Sequence, residues 1–69
     1  MLLLRILYSA HARERMVPRG ISVQEVEDGI RLGSKELQRP DKILAHYRYF
    51  TVVYRKMGSD LFVITVKPR

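Results

Sequence analysis

Apolar and polar residues alternate at the start of the chain, take a helical spacing in the middle, and alternate again through most of the second half. Every second position of residues 2–8 is apolar, which predicts a short strand. Ser9 can cap a helix over residues 10–16. Pro18 predicts that this helix ends or kinks at the preceding residue, because proline lacks an N–H donor and disfavours helical geometry there. Gly20 suits the left-handed position that closes such a helix.

A second helix is predicted over residues 22–32 by a specific local signal. Ser22 and Glu25 have the spacing of a capping box, in which each side chain bonds the backbone N–H of the other residue. Ile21 and Val26 can pack together across the helix start, and Gly33 ends the pattern. The predicted buried stripe of this helix consists of Val23, Val26 and Ile30.

The second half of the chain predicts strands. Residues 36–39 can form a short strand. Residues 43–56 contain no glycine or proline, so they form either one long bent strand or two strands joined near 47–49. Gly58 then predicts a hairpin into a last strand over residues 60–67.

The apolar residues of the last strand predict a register. Phe62, Ile64 and Val66 alternate and are expected to face the helices. This pairs Val52 with Ile64 and Tyr54 with Phe62, around an odd-length loop centred on Gly58. The opposite face then carries a mixture of apolar, polar and cationic side chains: Thr51, Val53, Arg55, Leu61, Val63, Thr65 and Lys67.

These elements predict a single α+β domain over residues 1–69. We expect the order β-α-α-β-β-β, with two N-terminal helices packed on one face of a curved antiparallel sheet of three to four strands. The absence of cysteine excludes disulfides, thiolate metal sites and thiol nucleophiles. The chain has only two histidines, far apart in sequence, so we expect neither a metal nor another cofactor.

The charge of the chain indicates which class of partner it binds. The net charge is +6, with a pI near 10.2, and the excess lies outside the second helix, which is acidic. A basic, cysteine-free chain without a long apolar segment is typical of a cytoplasmic protein that meets a polyanion such as RNA and does not enter membranes. The alternative is that the charge serves solubility alone.

Three segments together resemble a small prokaryotic family of unknown function: His-Ala-Arg-Glu-Arg-Met at 11–16, Arg-Gly-Ile-Ser at 19–22 and Val-Ile-Thr-Val at 63–66. That family is similar to the RelE/BrnT-type toxin fold, in which two helices pack on an antiparallel sheet. Several relatives on that fold are endoribonucleases of toxin–antitoxin pairs. The resemblance therefore implies a toxin-like protein that acts on RNA and is neutralised by a small acidic antitoxin-like protein. Pro18 and Lys67 differ from the residues common in the family.

Metal-independent RNA cleavage needs a base for the 2′-hydroxyl, an acid for the leaving 5′-oxygen, and cations for the charge on phosphorus. RelE-like folds supply these groups mostly from basic residues and a tyrosine or histidine on the sheet. The candidate catalytic residues are His11, Arg15, His46, Arg48, Arg55 and Lys67. The alternative for His11 is a local structural role, and for the sheet residues a solvated cationic face. Tyr47, Tyr49 and Phe50 can stack bases or belong to the core.

A different class of function is also open. An apolar patch of Val53 and Val63, expected to be exposed, and a free edge strand would suit a non-catalytic module that binds a protein partner. The same edge could pair with a second copy of the chain to give a homodimer.

Overall fold

The computed structural model describes residues 5–69, which form two helices and five strands. The elements are β1 (Ile6–Tyr8), α1 (Ala10–Arg19), α2 (Val23–Leu32), β2 (Ser34–Gln38), β3 (Lys42–Tyr47), β4 (Phe50–Met57) and β5 (Asp60–Pro68). The strands form one sheet in the order β1-β5-β4-β3-β2. The α+β class is confirmed. The expectation of three to four antiparallel strands is wrong, because the sheet has five and β1 runs parallel to β5.

The first strand is shorter in the described residues than the alternation suggested. Positions 2–4 of that prediction lie outside the described residues, and β1 starts at Ile6. Between residues 5 and 69, no helix is long and apolar enough to cross a membrane.

Helix α1 begins and ends as its capping residues predict. The Ser9 hydroxyl accepts from the Ala12 N–H at 2.9 Å, and Gly20 closes the helix with a φ of 65°. The prediction that Pro18 ends or kinks the helix at Val17 is wrong, because the helix continues to Arg19. Pro18 lies in the exposed last turn, where water can bond a carbonyl that the proline leaves without a donor.

Helix α2 has both halves of its capping box. The Ser22 hydroxyl accepts from the Glu25 N–H at 3.1 Å, and the Glu25 carboxylate accepts from the Ser22 N–H at 3.0 Å. Val26 is fully buried, but the assignment of Val23 to the buried stripe is wrong, since half of it is exposed. The helix approaches the sheet at Gly29 instead, where an added Cβ would lie 3.3 Å from the Tyr47 Cβ.

Residues 43–56 form two strands, β3 and β4, joined by a turn at Arg48 and Tyr49. Arg48 takes the left-handed conformation, with a φ of 53°. The predicted strand at 36–39 is also present, shifted to Ser34–Gln38.

The helices cover one face of the sheet, which we call the inner face. Its core unites both helices with β3, β4 and β5 and consists of Ala12, Met16, Ile21, Val26, Ala45, Phe50, Val52, Tyr54, Leu61, Val63 and Val66. We call the opposite side the outer face. Because side chains alternate along a strand, Thr51, Val53 and Arg55 of β4 lie on the outer face.

The predicted register between the last two strands is wrong. Val52 pairs with Val66 and Tyr54 pairs with Val63, and the register shifts between these two pairs. The strands meet at a turn of Gly58 and Ser59, so the expected odd-length loop is absent from this described hairpin.

The register shift reverses the expected parity near the start of β5. Leu61 and Val63 are in the inner core, whereas Phe62 lies opposite Arg55 on the outer face and Ile64 is at the irregularity. Only Val66 of the three residues expected to face the helices is in that core. Residues 61–64 are all apolar, so an apolar side chain faces the core whichever alternate positions point inward. The sequence therefore carries no signal for the bulge.

Candidate nucleic-acid interface

A polar cluster centred on His46 lies on the outer face. The His46 Nδ1 atom is 2.8 Å from the Thr51 hydroxyl, and its Nε2 atom is 2.8 Å from the Glu36 carboxylate. An ionised carboxylate can only accept a hydrogen bond, so Nε2 carries the proton in this contact. The ring is therefore held at both nitrogens.

The three members of this cluster differ in their access to water. Thr51 is 2% exposed, whereas the side chains of His46 and Glu36 are 25% and 64% exposed. The Thr51 contact is thus the fixed one, and the Glu36 contact lies at the surface. A ligand arriving from solvent would reach the Nε2 side of the ring first.

Strand pairing extends the cluster across the sheet. Thr51 lies opposite His46 on β3 and opposite Lys67 on β5, so the three residues form one row on the outer face. We call this the His46 row. Lys67 is exposed and forms no ion pair with another described residue. The row therefore presents an imidazole and an available ammonium group on the same side of the sheet.

The turn between β3 and β4 brings further cations to the same end of the sheet. The Arg69 N–H donates to the Tyr49 carbonyl at 3.0 Å, and the Arg69 guanidinium donates to the Arg48 carbonyl at 3.2 Å. These bonds hold the last residue of the chain against the turn. Arg48 and Arg69 consequently lie at the end of the sheet next to the His46 row.

Arg48 is oriented partly toward the helix layer. Its guanidinium lies 5.1 Å from the centroid of the Tyr47 ring. A hydrogen bond from Arg31 is the main cause that lowers the pKa of Asp28 on α2, and the charge of Arg48 adds to it. Arg48 thus occupies the rim between the two faces of the sheet.

Arg55 lies on the outer face but apart from the His46 row. It is four residues from Thr51 along β4, a separation of about 13 Å in an extended strand. Its guanidinium is 3.5 Å from Asp41, and its Nε atom is buried without a hydrogen-bond partner among the described residues. Arg55 therefore marks a second cationic position on this face.

Apolar side chains separate the two cationic positions. Leu44 and Val53 pair across β3 and β4 and are 7% and 6% exposed. The sequence-based expectation of an exposed Val53 and Val63 patch is wrong, because Val63 is also fully buried in the inner core. The outer face is thus a small apolar floor bordered by polar and cationic residues.

His11 and Arg15 lie elsewhere. Both are exposed on α1, which packs over the inner face mainly against β5. The sheet separates them from the His46 row. Of the six predicted catalytic residues, the structure therefore brings His46 and Lys67 together on the outer face. Arg48 lies at the rim of that face and Arg55 lies farther along it. His11 and Arg15 lie in the helix layer.

Sequence reasoning missed Glu36, Thr51 and Arg69. Thr51 could be found once a turn at Arg48 and Tyr49 is assumed, because that turn places it opposite His46. Glu36 requires the register of β2, and no local pattern in a fully exposed strand indicates it. The contact of Arg69 with the turn depends on the length of β5 after its bulge.

Comparison with known proteins places this fold in a family. Residues 8–67 match the model of a domain of unknown function (DUF4258), so the chain belongs to that family. A chain in the crystal structure of the toxin–antitoxin complex RelBE2 from Mycobacterium tuberculosis has a similar fold, with a TM-score of 0.70 and 14% sequence identity. The match covers 99% of this chain and 100% of the other. No curated protein matches the sequence significantly.

Proposed function

We propose that this protein is a RelE-like toxin that binds RNA on the outer face of its sheet and cleaves it without a metal ion. The observation that carries the proposal is the His46 row, in which an imidazole held at both nitrogens lies on the same face as a lysine that pairs with no acidic side chain of residues 5–69. The toxin-like fold of the RelBE2 neighbour supports the class of protein.

The row and the neighbouring Glu36 supply the groups that cleavage requires. The 2′-oxygen attacks phosphorus and loses its proton to the Glu36 carboxylate, while the bond from phosphorus to the 5′-oxygen breaks. For this step His46 is the imidazolium, protonated at both nitrogens: its Nε2–H gives its proton to that leaving oxygen and the ring becomes neutral, while Lys67 balances the charge on phosphorus. Thr51 keeps the ring in place through Nδ1 when the Glu36 contact opens to admit the RNA.

Binding is attributed to the cations around the row. Lys67 lies at one end of the outer face, Arg48 and Arg69 lie at the adjoining turn, and Arg55 lies farther along the face. Such a pattern suits a flexible phosphate backbone that crosses the strands. We therefore expect the affinity for RNA to fall steeply as salt concentration rises.

The test is an RNA cleavage assay in the presence of EDTA. His46→Ala should lower the rate by about 10²- to 10⁴-fold, the usual contribution of a positioned acid or base. Glu36→Gln should also slow cleavage, and Lys67→Ala should lower both the rate and the salt dependence. Arg15→Ala is the matched control, because it removes an exposed cation from the helix layer.

Equal loss of cleavage in the Arg15 and His46 variants would contradict the assignment to the outer face. A folded wild-type protein that neither binds nor cleaves RNA would contradict the proposed function itself.

A second candidate is a protein-binding module, favoured by the edge of the sheet at β2. All five residues of β2 are exposed, and Leu37 and the nearby end of α2 at Leu32 are 70% and 62% exposed. An extended segment of a partner can pair with such an edge. The basic charge of this chain favours an acidic antitoxin-like partner, while a second copy would give a homodimer.

Light scattering and partner capture separate these possibilities. A Leu37→Lys variant should lose the partner or the dimer and retain RNA cleavage, because Leu37 lies away from the His46 row. A monomer at high concentration that also fails to bind acidic partner peptides would contradict this second candidate.

A further inference from the structure

The aromatic residues of the β3–β4 turn differ sharply in exposure. Phe50 is 1% exposed and belongs to the inner core, and Tyr47 is partly buried against it. Tyr49 is 53% exposed at the turn itself. Only Tyr49 of these three therefore offers much of its ring to a ligand from solvent.

The Tyr49 ring is held in place although it is exposed. It packs edge-on against Phe50, with ring centroids 5.4 Å apart and planes at 75°. Its carbonyl accepts from the Arg69 N–H at 3.0 Å, which fixes the backbone of the turn. A ring fixed in this way loses little conformational freedom when a ligand stacks on it.

Cationic residues lie in and beside the turn that carries this ring. Arg48 precedes it in the turn, Arg69 bonds the turn backbone, and Lys67 lies on the adjoining strand. A ligand that suits the site therefore combines negative charge with a flat π system. A nucleotide has both, and an unpaired base exposes the face that stacking requires.

We propose that Tyr49 is a base-stacking residue that selects single-stranded RNA at the rim of the outer face. This inference rests on the proposed function, because it assumes that RNA phosphates bind at the adjoining cations. A base in a continuous duplex is stacked on both sides by its neighbours, so it cannot occupy the Tyr49 ring without being displaced. Tyr49 thus adds a preference for unpaired nucleotides to an interface whose cations would accept any phosphate backbone.

The experiment measures the binding of an unstructured oligoribonucleotide and of an RNA duplex to wild-type protein and to Tyr49 variants. Tyr49→Leu should weaken single-strand binding by about five- to hundredfold, the effect of losing one stacked base. Tyr49→Phe should bind like wild type, because the ring remains. Duplex binding should change little in either variant.

Two controls locate the effect. Met57→Ala removes an exposed apolar side chain from the other hairpin of β4 and should leave affinity unchanged. The salt dependence of binding should be the same in wild type and Tyr49→Leu, because stacking releases no counterions, whereas Lys67→Ala should reduce it.

Failure of the inference differs from failure of the proposed function. If Tyr49→Leu binds single strands as well as wild type while Lys67→Ala binds them less well, the stacking role is wrong and the RNA interface remains. If Tyr49→Leu weakens single strands and duplexes equally, selection of unpaired bases is wrong. If the wild-type protein binds no RNA at low salt, both proposals are overturned.

Discussion

On β4, Phe50, Val52 and Tyr54 belong to the core beneath the helices, whereas Thr51, Val53 and Arg55 lie on the opposite face. The inner face gains stability from apolar area removed from water. The outer face buries Thr51 and Val53 too, yet uses Thr51 to hold an imidazole that solvent can reach. One strand thus contributes to the core with one side and positions the imidazole of the proposed site with the other.

Substitution of neighbouring valines should give the largest difference between the two faces. Val52→Ala should lower the free energy of unfolding by about 2–3 kcal/mol, because it removes two buried carbons and leaves a cavity in the core. Val53→Ala should cost less, about 1–2 kcal/mol: Val53 is also buried, at 6% exposed, but no described helix covers the outer face, so water can enter the space that the removed carbons leave. Urea denaturation measures both, and equal losses would contradict the separation of the two faces.

The caps of the two helices differ, because the cap of α1 also bonds the sheet and the cap of α2 bonds its own helix only. The Ser9 hydroxyl caps α1 and also donates to the Ile64 carbonyl at 2.7 Å, whereas Ser22 caps α2 alone. Ser9→Ala should therefore cost about 2 kcal/mol and Ser22→Ala about 1 kcal/mol. If Ser22→Ala lost more unfolding free energy than Ser9→Ala, the hydrogen bond from the Ser9 hydroxyl to the Ile64 carbonyl would contribute nothing to stability.

Loss of the Thr51 hydroxyl should affect chemistry more than stability. Thr51→Val removes the partner of the His46 Nδ1 atom and should cost about 1 kcal/mol of unfolding free energy. RNA cleavage should fall as well, but less than in His46→Ala, because the ring is misplaced and not absent. Cleavage at the wild-type rate would show that Thr51 does not position His46.

The smallest effect should appear at alkaline pH on the inner face. Burial raises the pKa of the Tyr8 phenol above its ordinary 10.0, and the nearby Glu27 carboxylate adds to this while Arg13 opposes it. The unfolded chain then loses the Tyr8 proton at a lower pH than the folded chain, so stability declines as pH rises past 10.0.

Tyr8→Phe should make that decline shallower, and it also removes a buried hydroxyl that finds no hydrogen-bond partner within residues 5–69. Burial raises the pKa of Tyr54 too, so part of the decline should remain. Urea denaturation at neutral and alkaline pH measures the change, and an unaltered pH dependence would contradict the role of Tyr8.

The helices were predictable because their signals are local. Ser22 and Glu25 specify a helix start by bonds that span three residues, and Gly20 takes the left-handed conformation that its residue type allows. The predicted helix end at Pro18 was wrong because this turn is exposed. Water can bond the carbonyl that loses its N–H donor to the proline, so the loss of that hydrogen bond costs less free energy than in a buried helix. The family resemblance then indicated a fold similar to that of the RelBE2 chain.

The arrangement of the residues on the outer face could not be predicted from local sequence signals. Arg48 adopts a left-handed φ without being glycine, so the turn that aligns His46 with Thr51 lacks its usual sequence signal. The β5 irregularity lies in an apolar run that fits either face. Both features depend on contacts between distant segments, and the candidate site is built from them.

The most direct test of the outer-face assignment is an NMR titration of the folded protein with an unstructured oligoribonucleotide at low salt. We expect the amide signals of Thr51, Lys67 and Tyr49 and the ring signals of His46 to shift together and to return as salt is added. The exposed amides of α1 around His11 and Arg15 should not move. Shifts confined to α1, or none at all, would contradict the assignment of RNA binding to the outer face.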